Sequence, residues 1–348
     1  TVPVHEQGHD QVTLAGDTTT ITGNAFSGST SRYANALRCR GTTATYTITG
    51  NTFDGVNPSY FFAGTSGVSA ARATAVLNNN TFADPGTLIV SDYYVVPPSY
   101  SIFCGLTDAV VDDDWADLND GDVVTFMDES WVIGLNAFAV IQDAINAVTN
   151  STVYIAAGTY VEGTITVNKS ITLNGPNAGI PYDGSRVAEA VIQDTKIEFT
   201  NGIDGVVFDG LMITGTPPSG NIMINLSSKE VSNFTIQNCV LENIVANALF
   251  SQGSNIRDGI TVTETKISGV GNGVDGTAPY SALNTWQCSN VSITNCLIED
   301  IDYNGLNLET VDGAVVTGNI FRRIGKSGIQ IANVTDGPVT IENNTFER

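Results

Sequence analysis

The sequence repeats itself. Thr20-Ile-Thr-Gly-Asn24-Ala-Phe26 returns as Thr47-Ile-Thr-Gly-Asn51-Thr-Phe53 and as Val76-Leu-Asn-Asn-Asn80-Thr-Phe82, the key asparagine spaced by 27 and then 29 residues. The unit comes back late in the chain as Phe234-Thr-Ile-Gln-Asn238-Cys-Val240, Val291-Ser-Ile-Thr-Asn295-Cys-Leu297, Val316-Thr-Gly-Asn319-Ile-Phe321 and Val339-Thr-Ile-Glu-Asn-Asn344-Thr-Phe346. Gly210 and Thr265 take the asparagine place in degenerate copies, so the steps from position 210 are 28, 27, 30, 24 and 25. Rigid helical repeats keep a fixed period. One that drifts between 24 and 30 suits stacked coils whose turns accept insertions while short strands stay in register.

Within a unit, β-branched and polar residues alternate, as in Tyr46-Thr-Ile-Thr, which is the period of a strand with one buried face. The asparagine then bends the chain, because Asn tolerates left-handed backbone and its amide can bond to the next coil, one residue serving both needs. The Phe, Val, Leu or Ile after it is expected to point inward. A second strand follows an Asn-Gly or Ser-Gly turn, as Asn304-Gly-Leu-Asn-Leu308 and Ser327-Gly-Ile-Gln-Ile331. The fold class that follows is all-β, a parallel β-helix, with about seven coils over residues 151–348 and a length on the order of 35 Å.

The repeats divide into blocks. Residues 1–105 read as β-helix repeats ending one module, 106–135 as an acidic joint, 136–150 as a capping helix and 151–348 as the main β-helix. The joint holds Asp112, Asp113, Asp114, Asp117, Asp120 and Asp122. Alternating carboxylates offer hard oxygens to Ca²⁺, but the terminal bidentate Glu of an EF-hand is missing, so a calcium site and a solvated linker both stand. The helix is signalled by apolar residues at 138, 141, 144, 145 and 148, a helical spacing. It would cap an open core.

Charge narrows the partners. Acids outnumber bases 36 to 14, for a net charge of -22, and the five lysines and nine arginines are scattered. Nucleic acid, which needs clustered cations against its phosphates, is excluded as a partner class. No apolar run reaches the roughly 18 residues that span a bilayer. Five cysteines, Cys39, Cys104, Cys239, Cys288 and Cys296, form no CxxC pair and read as buried small hydrophobes. Asn79, Asn150, Asn168, Asn225, Asn233, Asn290, Asn333 and Asn343 open N-x-S/T sequons, which permit glycosylation. Both termini read as cuts through a longer chain, the last falling inside a repeat.

Phe138-Ala-Val-Ile-Gln-Asp-Ala-Ile-Asn-Ala-Val148, followed by Thr152-Val-Tyr-Ile-Ala-Ala-Gly-Thr-Tyr160-Val-Glu162 and Ile165-Thr-Val-Asn-Lys-Ser-Ile-Thr-Leu-Asn-Gly175, resembles the entry to pectin-lyase-like right-handed β-helix proteins. The resemblance covers most of residues 106–348. Val110-Val-Asp-Asp-Asp-Trp115-Ala-Asp-Leu-Asn-Asp-Gly-Asp122 is similar to the joints that introduce such modules in large microbial surface proteins, which implies tandem modules at an extracellular cell surface.

That superfamily includes lyases, hydrolases, esterases and epimerases acting on polysaccharides, so an enzyme has to be sought in residues and not in the fold. Gly158-Thr-Tyr160-Val-Glu162 resembles the opening of pectin methylesterases, whose later catalytic segments are absent. The signature stretches of polygalacturonases, pectate lyases and epimerases are missing too. The two histidines, His5 and His9, lie near the N-terminus, away from the main helix. What remains is a set of charges, Arg257, Asp258, Asp275, Asp300 and Asp302, around the stretch Gly269–Asn290 with Tyr280 and Trp286. Paired carboxylates about 5 to 9.5 Å apart would be needed for glycoside cleavage. The outward Asn307 and Gln330 bind sugars or water but move no protons. The expectation is therefore a structural or adhesive surface module that associates with copies of itself, with a polysaccharide-binding or polysaccharide-cleaving protein as the alternative.

Overall fold

The computed structural model describes residues 106–119, 122–134, 136–253, 257–271 and 279–348. Of the first hundred residues it describes 12–14, 18–27, 37–39, 45–49, 52–54 and 81–82. The chain divides into two compact units, Thr1–Thr107 with Asp117–Ala137, and Asp108–Ala116 with Phe138–Arg348.

In the first unit three strands, Val12–Leu14, Thr18–Thr22 and Ala25–Ser27, are matched in parallel by Leu37–Cys39, Thr45–Thr49 and Thr52–Asp54. Phe26, Phe53 and Phe82 share one register position, as the repeat requires. Val123–Phe126 and Glu129–Val132 form a hairpin through Met127 and Asp128, both at positive φ. That is the primed turn that matches strand twist.

The second unit is a stack of three-stranded coils. One strand of each coil enters an eight-stranded parallel sheet, from Gly158–Tyr160 through Val240–Ile244 and Leu297–Ile301 to Thr345–Glu347. The other two strands of each coil form a second, larger sheet. Its two runs merge in the long strands Leu283–Thr294 and Asn304–Thr317. Eight strands stand where about seven coils were expected, and seven steps of about 4.8 Å give roughly 34 Å. Inward positions make an apolar core: Ile192, Ile213, Leu241, Ile267, Ile298 and Phe321 follow one another in a single column, each at most 1% exposed. Phe234 meets Phe199 and Phe208 edge-on, with ring centroids at 5.0 and 5.1 Å. Phe346 continues that column, at the same register as Phe321 and with the two rings stacked.

Corners come from left-handed residues. Gly210, Asn238, Glu264, Asn295, Gly318 and Asn343 lead into the eight-stranded sheet, and Asp194, Gly215, Asn243, Gly269, Asp300 and Arg323 lead out of it, all at positive φ. The register corrects the expected alignment. Cys239, Thr265, Cys296, Asn319 and Asn344 share one position, so Asn238 and Asn295 stand one residue earlier than Asn319. At the outer of the two corner positions Asn238 and Asn295 serve both needs expected of the asparagine, each at positive φ and donating Nδ2 to the preceding coil, to Asp209 Oδ1 at 2.8 Å and to Glu264 Oε1 at 2.9 Å. The outer takes the left-handed turn. The inner one, buried at Thr265 and Asn319 and half-buried at Asn344, also bonds between coils: Thr265 Oγ1 accepts from Cys239 N–H at 3.2 Å, Asn319 Oδ1 from Cys296 N–H at 2.9 Å and Asn344 Oδ1 from Asn319 N–H at 2.9 Å, over 26, 23 and 25 residues.

The expected helix spans Ile141–Ala147, and Phe138, Ile141, Ala144, Ile145 and Val148 are all buried. Both ends are held by the coil that follows. Glu162 accepts from the Ile141 and Gln142 N–H groups at 2.5 and 2.9 Å, and Lys169 Nζ donates to the carbonyls of Ile145 and Val148 at 2.8 and 2.7 Å. Orphan donors and acceptors of the helix termini are thereby satisfied, and each charge has the sign the helix dipole favours.

Candidate functional site

Three groups of side chains were expected to carry chemistry, and the fold treats them differently.

In the acidic stretch, Asp112 caps a short 3-10 turn, its carboxylate accepting from Asp114 N–H at 3.1 Å. Asp113 Oδ2 accepts from Thr159 N–H at 2.9 Å. The turn thus sits on the first coil, and Gly158 leaves room for the Asp113 carboxylate. Asp112, Asp113 and Asp114 can bring one oxygen each within 4.8 Å of one another, a spacing open to a divalent cation. Burial raises the Asp112 carboxyl above its usual range. Asp117 and Asp122 belong to the other unit, where Asp122 Oδ2 accepts from Asn119 N–H at 2.8 Å. Asp120 lies outside the described residues.

The expected charge cluster is dispersed. Arg257, 0% exposed, turns inward and donates to the carbonyls of Leu226, Gln252 and Trp286 at 3.1, 3.0 and 3.2 Å. It ties three turns together from inside. Its neighbour Asp258 points out and accepts from Asn290 Nδ2 at 2.7 Å. Asp300 belongs to the other sheet, at the corner that ends Leu297–Ile301, where Arg323 Nε and Nη2 meet its two oxygens at 2.6 and 2.7 Å. Asp302 is fully buried, and Asp275 lies outside the described residues. Alternation along a strand sends Arg257 and Asp258 to opposite faces, a consequence that grouping by sequence proximity overlooks. Trp286 is half-buried, its carbonyl taken by Arg257 and by Ser251 Oγ.

Sequence reasoning missed a charge ladder on the outer face of the eight-stranded sheet. Glu299 accepts from Arg322 Nε at 2.5 Å and Arg323 Nη2 at 2.8 Å, and Lys266 Nζ stands 3.5 Å from Glu242 and 3.7 Å from Glu299. Burial opposes ionisation of Glu299, yet its arginine and lysine neighbours outweigh it and hold the carboxyl below its usual range. The signal was available as Glu-Asp at 299–300 and Arg-Arg at 322–323, one coil apart.

The amides expected to face outward form a column, but Asn307 is buried, 8% exposed, while Gln330 is half-buried. Asn284, Asn307 and Gln330 occupy one register position, with Asn307 Nδ2 donating to Asn284 Oδ1 at 3.0 Å. At the turn before these strands Lys326 Nζ lies 4.0 Å from the Tyr303 ring centre, and Tyr303 N–H donates to the Tyr280 carbonyl at 3.1 Å. The cysteines Cys239, Cys288 and Cys296 are buried free thiols, and burial pushes Cys239 and Cys296 up to about 12. They are core residues.

Residues 219–348 match the family described as the right handed beta helix region, and the parallel stack of the second unit is that fold. The resemblance to pectin-lyase-like β-helix proteins is thus matched by the architecture. A rhamnogalacturonan lyase is similar over 62% of this chain and 68% of that one, at 11% identity and a TM-score of 0.36. A PL6 family alginate lyase, AlyGC, and a point mutant of it are each 12% identical over 97% of this chain, with TM-scores of 0.32 and 0.36. The chain spans 58% of the length of those alginate lyases. No curated protein sequence matches it.

Proposed function

We propose that this chain is a structural module of an extracellular surface protein, a stiff rod that spaces and joins its neighbours and associates with copies of itself. The observation that carries the reading is the use made of its polar side chains. Asp300 is engaged by Arg323, Asp258 by Asn290, Glu299 by Arg322 and the Cys296 backbone by Asn319. Each pair links neighbouring coils, so charges that could have served an acid–base mechanism are spent on stiffness. In this reading Ca²⁺ binds at Asp112, Asp113 and Asp114 and anchors that turn to the first coil. Electron microscopy and sedimentation of the native protein with calcium and with a chelator test it. Filaments or sheets that loosen on chelation are the expected result; monodisperse monomers in both samples at high concentration would overturn it.

A second reading, polysaccharide binding, is favoured by the half-buried amides Asn284 and Gln330 on one column, with half-buried Tyr303 just before the strand that runs between them. Amides and an aromatic ring offer the donors, acceptors and apolar face that a glycan chain meets. A panel of immobilised polysaccharides probed with the wild type and Gln330→Ala decides this: binding lost in the variant supports it, and no retention on any member rejects it.

A further inference from the structure

One corner of the rod alternates in a way the repeat does not announce. The pairs Asp204-Gly205, Ser232-Asn233, Asp258-Gly259, Ser289-Asn290 and Asp312-Gly313 share one register position on successive coils. The second residue of each pair has positive φ. Asn233 and Asn290 are exposed, and each donates Nδ2 to the aspartate one coil before it, Asp204 and Asp258, at 2.7 Å. Both open sequons, Asn233-Phe-Thr235 and Asn290-Val-Ser292.

We infer that Asn233 and Asn290 carry N-linked glycans, set two coils apart along one edge of the rod. In the transfer the Nδ2–C1 bond forms, and the bond from C1 to phosphate oxygen of a polyprenyl-pyrophosphate-linked oligosaccharide breaks. Nδ2 loses one proton and the lipid pyrophosphate leaves. The product amide keeps one N–H, which is all that the bond to Asp204 or Asp258 uses. The fold therefore accepts the sugar without giving up its coil-to-coil link. Two coils of about 4.8 Å put the attachment points roughly 10 Å apart on the same side. Asn225 differs. It is half-buried, its Oδ1 accepts from Ser227 N–H at 3.0 Å and its Nδ2 faces Glu198 Oε1 at 3.5 Å on the preceding coil. A glycan there would have to displace a contact on the sheet face, so Asn225 stays bare.

The test is secretion of the whole chain through a host that performs N-glycosylation, followed by glycopeptide mapping of wild type, Asn233→Gln, Asn290→Gln and the double variant. The expected result is one oligosaccharide at each of the two sites in most molecules, loss of one per single variant, and an unmodified Asn225. Thr235→Val, which removes the sequon hydroxyl but keeps Asn233, should abolish the first glycan without unfolding the chain. Folding is checked by a parallel-β circular dichroism signal. Bare Asn233 and Asn290 in folded secreted protein, or Asn225 occupied to the same extent, would overturn the inference.

Discussion

Asn319 and Asn344, one coil apart, are joined through their side chains: Asn319 Nδ2 donates to Asn344 Oδ1 at 2.9 Å, and also to the Ile293 carbonyl at 2.8 Å. Asn319 is 1% exposed, and its own Oδ1 receives the Cys296 N–H. It thus touches coils on both sides.

Asn319→Ala leaves the Cys296 N–H and the Ile293 carbonyl buried without this partner, which costs about 2–6 kcal/mol at 1–3 kcal/mol per stranded group. Urea unfolding should show a lower midpoint with an unchanged slope. A variant as stable as wild type would remove the inner column as a source of stability.

Glu162→Ala removes the helix cap and should cost about 1–2 kcal/mol. Its pH dependence has a definite sign. Burial raises the Glu162 carboxyl above 4.5, against its two backbone hydrogen bonds. The folded state therefore holds more protons than the unfolded one between 4.5 and the raised folded value, and stability falls as pH rises through that window. Glu162→Gln keeps one acceptor and should flatten that fall. Thermal unfolding of both variants from pH 4 to 8 measures it.

At the charge ladder the sign reverses. Glu299 and Asp300 are held below their usual ranges, Glu299 by Arg322, Lys266 and Arg323 against its burial, Asp300 first by its hydrogen bond to Arg323. Their contribution is present above the ordinary carboxylate values of 4.5 and 3.8 and is lost as pH falls through the lowered ones. Glu299→Gln should blunt acid unfolding in a pH titration followed by circular dichroism, while leaving stability at pH 8 lower by about 1–3 kcal/mol.

Gly305→Val tests the packing of the terminal coils. A Cβ at Gly305 would stand 2.5 Å from the Gly328 carbonyl oxygen and 3.0 Å from Phe321 Cδ1. Phe321 stacks on Phe346 at 5.0 Å, with an interplanar angle of 8°. The added side chain must push this stack or the backbone aside, at about 1–3 kcal/mol. Phe321→Leu in the same background should recover part of the loss in a chemical denaturation experiment.

The sequence by itself determined the coil. Alternation of β-branched and polar residues, a drifting repeat and an Asn or Gly at each bend were enough to specify parallel stacking, because period and turn chemistry are local properties. It also determined that Cys239, Cys288 and Cys296 are core residues and that Asn307 and Gln330 share a column. Only the tertiary structure decided the register. Asn238 and Asn319 read as the same position until pairing placed them one residue apart, since a one-residue slip changes which face a side chain takes and no local pattern reports it. The same cause undid the charge cluster. Arg257, Asp258 and Asp300 are near in sequence or in loop, but pleating sends the first inward, and the second and third go to different sheets. Conversely, Glu162 and Lys169 hold the two ends of a helix some twenty residues before them, a relationship that exists only once the first coil closes beneath it.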